Sequence, residues 1–358
     1  MLILLLGLES VDVGSIVTDN NIYKMEILMA GFSFTEMQKK SNGGTEQVCR
    51  MIEKNIPQNL LNDFQIIPSR VSTLEEDKIR VYFLHDLPQD PETNHLQNES
   101  SRDRFHKIVF CGNWQYNQYL NVLGVPPTNK LIVIDTPIEP IELIEKPKNE
   151  IRLIYTSTPQ RGLSILVPVF EKLCETYDNI YLDVFSSFEI YGWKESDKQF
   201  KELFDRCKNH PKIVYHGFQP NEVVRAALQK AHIFAYPSIW QECNSRALIE
   251  AMSAGLMCVH PNLAGLSDTC GNITTVYPYD QDINRHANMF YMFLQSAITS
   301  IQDDNLQYYL RFVKSYADTR FNIDKISAQW TDLLTSLKIQ YPEGQRGLPK
   351  AMFRYSAA

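Results

Sequence analysis

Short apolar runs alternate with stretches of helical periodicity from about residue 25 to residue 340. In the first half, Met25–Ala30, Ile79–Leu84, Lys107–Cys111 and Lys130–Ile134 read as strands. Helices are predicted from Asn42-Gly43-Gly44 toward Lys54, and around Trp114–Leu120. In the second half, strands are predicted at Ile151–Tyr155, Ile180–Phe185, Ile213–Gly217, Ile233–Ser238 and Met257–His260. Between them fall helices at Leu163–Tyr177, Lys198–Cys207 and Asn221–Ala231. Strands that alternate regularly with helices predict an α/β protein with parallel sheets. A last helix, about Asp324 to Ile339, sets Trp330, Leu333 and Leu337 on one face and is expected to cross back to the first domain.

Residues 137–150, "PIEPIELIEKPKNE", interrupt the alternation with proline and charge and read as a linker between domains. The expected organisation is an extension over 1–24, a first domain over 25–136, the linker, a second domain over 151–322, the crossing helix over 323–342 and a tail over 343–358. A length of 358 residues suits two domains that each bury a core.

Composition narrows the partners. The formal net charge is -7, against the basic excess of a nucleic-acid surface. Two local basic clusters, Arg102/Arg104/His106/Lys107 and Lys39-Lys40, read as solvated loops, with anionic lipid or an anionic acceptor as the alternative. Seven scattered cysteines without a C-x-x-C pair suggest reduced thiols rather than a zinc site or a disulfide framework. Met1–Leu8 is apolar but far short of the ~20 residues that span a bilayer, and it lacks a basic leader. A cytoplasmic protein is expected, with peripheral contact at a membrane as the alternative.

The most informative stretch is Glu242-Cys243-Asn244-Ser245-Arg246-Ala247-Leu248-Ile249-Glu250, between the strands Ile233–Ser238 and Met257–His260. In an open α/β sheet, ligands bind outside the carboxyl ends of the strands. Glu242 falls in that crevice, and Glu250 lies along the helix that leaves it. The free N–H groups at the helix start, about Asn244 to Ala247, suit a phosphate or a sugar hydroxyl. A carboxylate such as Glu250 can accept two hydrogen bonds from a vicinal diol. An ordinary amphipathic helix explains the spacing equally well.

With its flanks, "YPSIWQECNSRALIEAMSAG" resembles the E-x7-E segment of family 4 glycosyltransferases, which usually reads PS-x-x-E-x-F-G-…-E-A-M-A-x-G. Pro237-Ser238, both glutamates, Ala251-Met252 and Ala254-Gly255 carry the likeness; Cys243-Asn244-Ser245 departs from it. The resemblance implies the GT-B fold: two Rossmann-like domains facing a cleft, the acceptor mainly on the first and a nucleotide sugar on the second. It implies a retaining transfer of a hexosyl group from a UDP- or GDP-sugar. Glu242 would then hold the donor sugar and Glu250 the ribose, with Asn244, Ser245 and Arg246 at the helix start.

Further positions match the family. Gly43-Gly44-Thr45-Glu46 corresponds to its Gly-Gly-x-Glu loop, which approaches the donor pyrophosphate. His85 corresponds to a histidine facing the donor sugar, and Asn113 falls on the acceptor side. Arg161-Gly162 corresponds to the family's Lys-Gly. Its earlier arginine falls near Thr156, so one of two expected cations is missing, and Ser157 and Thr158 remain as neutral donors. Gly217-Phe218 would border the base, and Gly265 would pack near the site. The developing negative charge would be met by Arg161, the glycine amides and the helix start. No D-x-D-type pair stands out, so neither a metal nor a cofactor is expected. The acceptor is a glycan, a lipid-linked group or a protein. Rival readings are a nucleotide-sugar epimerase on the same fold and a silent nucleotide-sugar-binding protein. Without a G-x-G-x-x-G fingerprint, a dinucleotide-dependent dehydrogenase is disfavoured.

Overall fold

The computed structural model describes residues 31–71, 73–347 and 351–352. The extension over 1–24, the expected strand Met25–Ala30 and most of the tail lie outside the described residues.

Two parallel sheets form two domains. The first contains β1 (Phe64–Pro68), β3 (Ile79–Leu84), β4 (Lys107–Phe110) and β5 (Leu131–Val133), in the order β1-β3-β4-β5. β2 (Thr73–Leu74) pairs antiparallel with β12 (Ala351–Met352). The second sheet holds β6 (Ile151–Thr156), β7 (Ile180–Phe185), β8 (Ile213–Tyr215), β9 (Ile233–Ala235), β10 (Met257–Pro261) and β11 (Thr275–Tyr277). Its order is β11-β10-β9-β6-β7-β8, with every pairing parallel. Counted from β6, this is the 3-2-1-4-5-6 winding of a Rossmann sheet, and its switch point lies between β6 and β9. β3 and β10 are buried at every position, as strands covered on both faces require.

The crossing helix runs Ile323–Gln340, capped by the Asn322 side chain on the Asp324 N–H. Ile326, Trp330, Leu333, Leu334 and Leu337 form one stripe that packs with Val48, Cys49 and Ile52 in the first domain's core. Trp330 is fully buried and meets the Phe83 ring edge-on at 5.0 Å. Each such side chain contributes about 1.5–3 kcal/mol of burial, so this helix belongs energetically to the first domain.

Residues 137–150 correct the picture of a free linker. Ile138 and Ile141 are buried in the second domain's core, and the Ile141 N–H donates to Ser253 Oγ at 2.9 Å. Ile138 also bridges to Asn322, so the two chain crossings run side by side. Arg320 secures them: its guanidinium pairs with Asp135 at 3.0 Å and Asp268 at 3.3 Å. Among the described residues, no helix is long and apolar enough to cross a membrane. The basic clusters are dispersed: Arg102 donates to the Leu96 and Gln97 carbonyls, Lys107 to that of Asn129, and His106 is buried.

Candidate active site

The carboxyl ends of both sheets face one cavity of about 470 Å³, within the usual range for a small-molecule site. Chain segments following β6 and β9 supply its second-domain wall. Those following β1, β3 and β4 supply the first-domain wall.

After β6 the chain makes a 3-10 turn, Pro159–Arg161, and enters the helix Leu163–Cys174. Gly162 joins them at φ +131°, and a Cβ there would sit 2.2 Å from the Pro237 carbonyl oxygen. Only glycine fits both the backbone and the space. This contact brings the turn after β6 against the Pro237-Ser238 turn after β9. Arg161 Nη1 thereby lies 3.3 Å from Glu242 Oε1. The Tyr236 hydroxyl donates to the same oxygen. Burial disfavours the Arg161 charge, but Glu242, Tyr191 and Tyr236 outweigh it and raise its pKa. The Tyr236 pKa is raised too, by burial first and then by the Glu242 charge. The Gly265 N–H donates to the Glu242 carbonyl at 2.9 Å and holds this loop from behind.

The helix after Glu242 begins at Arg246, with Ser245 as its N-cap, so Glu250 lies in its second turn. The Glu250 side chain is 5% exposed. It accepts from Arg246 Nη2 at 3.0 Å, from Arg225 Nη1 at 3.4 Å and from Asn221 Nδ2 at 3.4 Å. Both guanidinium contacts fall on Oε1, so a diol docking on Glu250 meets guanidinium groups at one of its two oxygens.

On the first-domain wall, His85 and Asp86 follow β3. His85 Nε2 is buried with no hydrogen-bond partner among the described residues, and its ring packs on Phe83 at 4.2 Å. Asp86 Oδ2 is likewise buried and without a partner. Burial pushes the Asp86 carboxyl pKa up, against the Ser69 hydrogen bond. Asp90, Ser69 and Arg70 line the same wall.

The Gly43-Gly44 loop opens the helix Gly44–Asn55. Gly43 lies under the Tyr191 ring, where a Cβ would approach Tyr191 Cε1 to 2.6 Å. The Asn42 N–H donates to the Ile190 carbonyl at 2.7 Å, so this loop ties the two domains together. Glu46 is buried and accepts from Ser41 Oγ at 3.0 Å; burial raises its pKa against that bond. Cys243 packs into the first domain's core with Cys111. A hydrogen bond from Cys243 lowers the Cys111 thiol pKa against its burial, with help from His85.

The cavity thus gathers Glu242, His85, Arg161, Gly44, Asn244, Arg246 and Glu250, together with Gly217 and Phe218. Gly43, Gly162 and Ser245 stand behind the lining and shape it. Asn113 is a correction: it is exposed at the first position of the helix Asn113–Asn121 and does not line the cavity. There the chain is held by the adjacent Trp114 N–H, which donates to Asp268 Oδ2 at 3.0 Å across the domain boundary. Sequence reasoning also missed Tyr191, Tyr236 and Asp86. Tyr236 was hidden in an apolar run, and Asp86 directly follows a residue that was singled out. Among the described residues, no group of three or more His, Cys, Asp or Glu side chains is arranged to hold a metal ion.

Residues 136–283 match the family model described as glycosyl transferases group 1. This segment runs from the end of the first domain through the nucleotide-side motifs to the start of the helix Ile283–Ser300. The match covers under half of the chain; over the rest the likeness is one of fold, that of the GT-B glycosyltransferases. No curated protein matches the chain. A glycosyltransferase from Rickettsia africae shares the fold at 14% identity and a TM-score of 0.60, over 82% of this chain and 80% of its own. The sucrose-phosphate synthase of Thermosynechococcus elongatus aligns at 14% identity and a TM-score of 0.58, over 81% and 80%. HepE of Anabaena, solved in complex with UDP-glucose, aligns at 15% identity and a TM-score of 0.56, over 81% and 82%.

Proposed function

We propose that the chain moves a hexosyl group from a UDP- or GDP-sugar to an acceptor hydroxyl, with retention of anomeric configuration and without a metal. One observation carries this reading. Arg161 and Glu242 meet at the switch point of the second sheet, where a nucleotide's phosphates fall, and face His85 and Asp86 across a single cavity.

In this reading Arg161 and the N-terminus of the helix Leu163–Cys174 stabilise the leaving diphosphate. Charge develops there in the transition state, so fixed cations and N–H groups lower the barrier. Glu242 binds through Oε1 to Arg161 and Tyr236, and its other oxygen accepts from a sugar hydroxyl. His85 Nε2 hydrogen-bonds the donor sugar from the opposite wall. A phosphate oxygen of the leaving group takes the acceptor proton on the same face as the departing bond, which gives retention. The resemblance to HepE, solved with UDP-glucose, supports a nucleotide-sugar donor. The acceptor is a glycan, a lipid-linked group or a protein, and glycan assembly at the cytoplasmic side, free or on a membrane surface, is the setting this chemistry fits.

The test is a panel of UDP-, GDP- and ADP-sugars with EDTA present, read as released nucleoside diphosphate, with Arg161→Ala and Glu250→Ala beside the wild type. Release from one donor that both variants lose is expected. Release that requires added Mn²⁺ would overturn metal independence. Conversion of the donor sugar without release would establish an epimerase instead.

A further inference from the structure

Behind Glu250 lies a second, smaller cavity of about 210 Å³ at the junction of the two domains. That is an order of magnitude more than the ~10–15 Å³ a single water needs. Three guanidinium groups line it: Arg50 from the first domain, Arg225 and Arg246 from the second. Gln47, Asn221 and Glu139 complete its polar wall.

The three arginines outnumber the carboxylate that forms ion pairs with them. Glu250 is shared between Arg225 and Arg246 through one oxygen. Arg50 Nη2 is held by the neutral Asn42 Oδ1 at 3.0 Å. Arg225 Nη2 is spent on the Glu139 and Pro140 carbonyls at 2.9 and 3.2 Å. Arg246 Nη1 donates to Gln47 Oε1, and its buried Nε has no partner among the described residues. Glu139, on the rim, is 55% exposed and drawn toward Lys54 at 3.8 Å. Burial is the main cause that lowers the Arg50 pKa; the Glu46 charge works against it, and the Arg246 charge adds a smaller push in the same direction as burial. Three guanidinium groups share one ion-paired carboxylate, and two of them, Arg225 and Arg246, are largely withdrawn from water, which favours a further anion.

We propose that this cavity is a second anion site, separate from the diphosphate corner at Arg161, that takes a phosphate group between the domains. Planar guanidinium forks match phosphate oxygens two at a time, which favours phosphate over chloride. Because the arginines come from both domains, the bound anion neutralises repulsion across the junction and favours the closed cleft. A ligand that binds only the folded, closed form raises its stability with the logarithm of its concentration once above Kd. The site stands whether or not the chain transfers a sugar.

The experiment uses the full chain and inorganic phosphate, titrated at constant ionic strength against chloride, with thermal unfolding and calorimetry as readouts. For the wild type, saturable binding by calorimetry is expected, with an unfolding temperature that keeps rising with the logarithm of phosphate concentration. Arg50→Gln and Arg225→Gln should each raise the midpoint by about tenfold, the size of one lost charge-assisted hydrogen bond. Arg225→Lys, which keeps the charge, should fall between wild type and Arg225→Gln and separates loss of charge from misfolding. Arg161→Ala should leave the midpoint unchanged. The proposal is overturned if phosphate stabilises no more than chloride. It is equally overturned if Arg161→Ala abolishes the response while Arg50→Gln and Arg225→Gln keep it, since the diphosphate corner would then be the binder. Uridine 3′,5′-bisphosphate beside uridine 5′-monophosphate distinguishes the sources. A gain for the bisphosphate that Arg225→Gln removes places the phosphate on a nucleotide's ribose. Additive binding of monophosphate and inorganic phosphate makes it a free anion.

Discussion

The two walls of the cleft are built by different means. The second-domain wall is set by backbone: two turns after β6 and β9 are pressed together at Gly162 and Pro237, and Arg161 and Glu242 follow from that contact. The first-domain wall is set by side chains: His85, Asp86 and Asp90 from the loop after β3, and Arg70 from the segment after β1. A wall fixed by backbone geometry leaves a spacing in the sequence. A wall assembled from scattered side chains does not, and it can be changed without touching the nucleotide side.

The largest effect should come from the backbone contact. Gly162→Ala places a methyl group against the Pro237 carbonyl at a φ of +131°. It should cost about 3 kcal/mol or more of stability, measured by denaturant unfolding. A loss under ~1 kcal/mol, the scale of an ordinary surface change, would break the contrast between the walls. Next, Arg161→Ala should lower turnover by about a hundredfold or more, as loss of a transition-state charge partner does, and weaken nucleotide binding with it. Asp86→Asn should lower transfer by about ten- to a hundredfold, seen as a raised acceptor KM, while nucleotide binding stays as in the wild type. That split sharpens the contrast, because the residue lines the first-domain wall alone.

The smallest effect concerns stability and pH. Each domain holds a histidine withdrawn from water, the half-buried His95 in the first and the fully buried His260 in the second, both lowered from 6.5 to about 4. Burial is the main cause in each, and the Arg104 charge adds to it at His95. The unfolded chain binds these protons at higher pH than the folded one. The stability they confer is therefore complete above 6.5 and is lost as pH falls from 6.5 toward 4. Unfolding measured across that window should show this slope, and His260→Gln should flatten it. A slope of the opposite sign would mean that these rings are charged in the folded protein.

The same contrast explains what was legible in the sequence. Ile79–Leu84 and Ile180–Phe185 were read with their observed limits, because buried parallel strands are near-continuous apolar runs. The crossing helix was legible from the stripe that includes Trp330, Leu333 and Leu337, which does lie in the first domain's core. β1, Phe64–Pro68, was not, since Gln65 and Pro68 interrupt its apolar pattern. The buried Gln65 amide is satisfied by the Thr73 carbonyl and the Glu75 N–H, partners that sequence spacing does not reveal. β11 is only three residues long and gave no signal. At the site, the E-x7-E spacing located Glu242 and Glu250, but the Arg225 and Arg246 contacts that enclose Glu250 depend on the packing of two helices. Asn113 was misplaced because its position at a strand end was read without the turn at Gly112 that leaves it exposed.

The central claim is that the nucleotide binds on the second-domain wall. Thermal unfolding with UDP, GDP and ADP, run on the wild type, Arg161→Ala and Asp86→Asn, tests it most directly. The account predicts that at least one diphosphate stabilises the wild type and Asp86→Asn equally and leaves Arg161→Ala unmoved. Stabilisation that survives in Arg161→Ala and disappears in Asp86→Asn would contradict it.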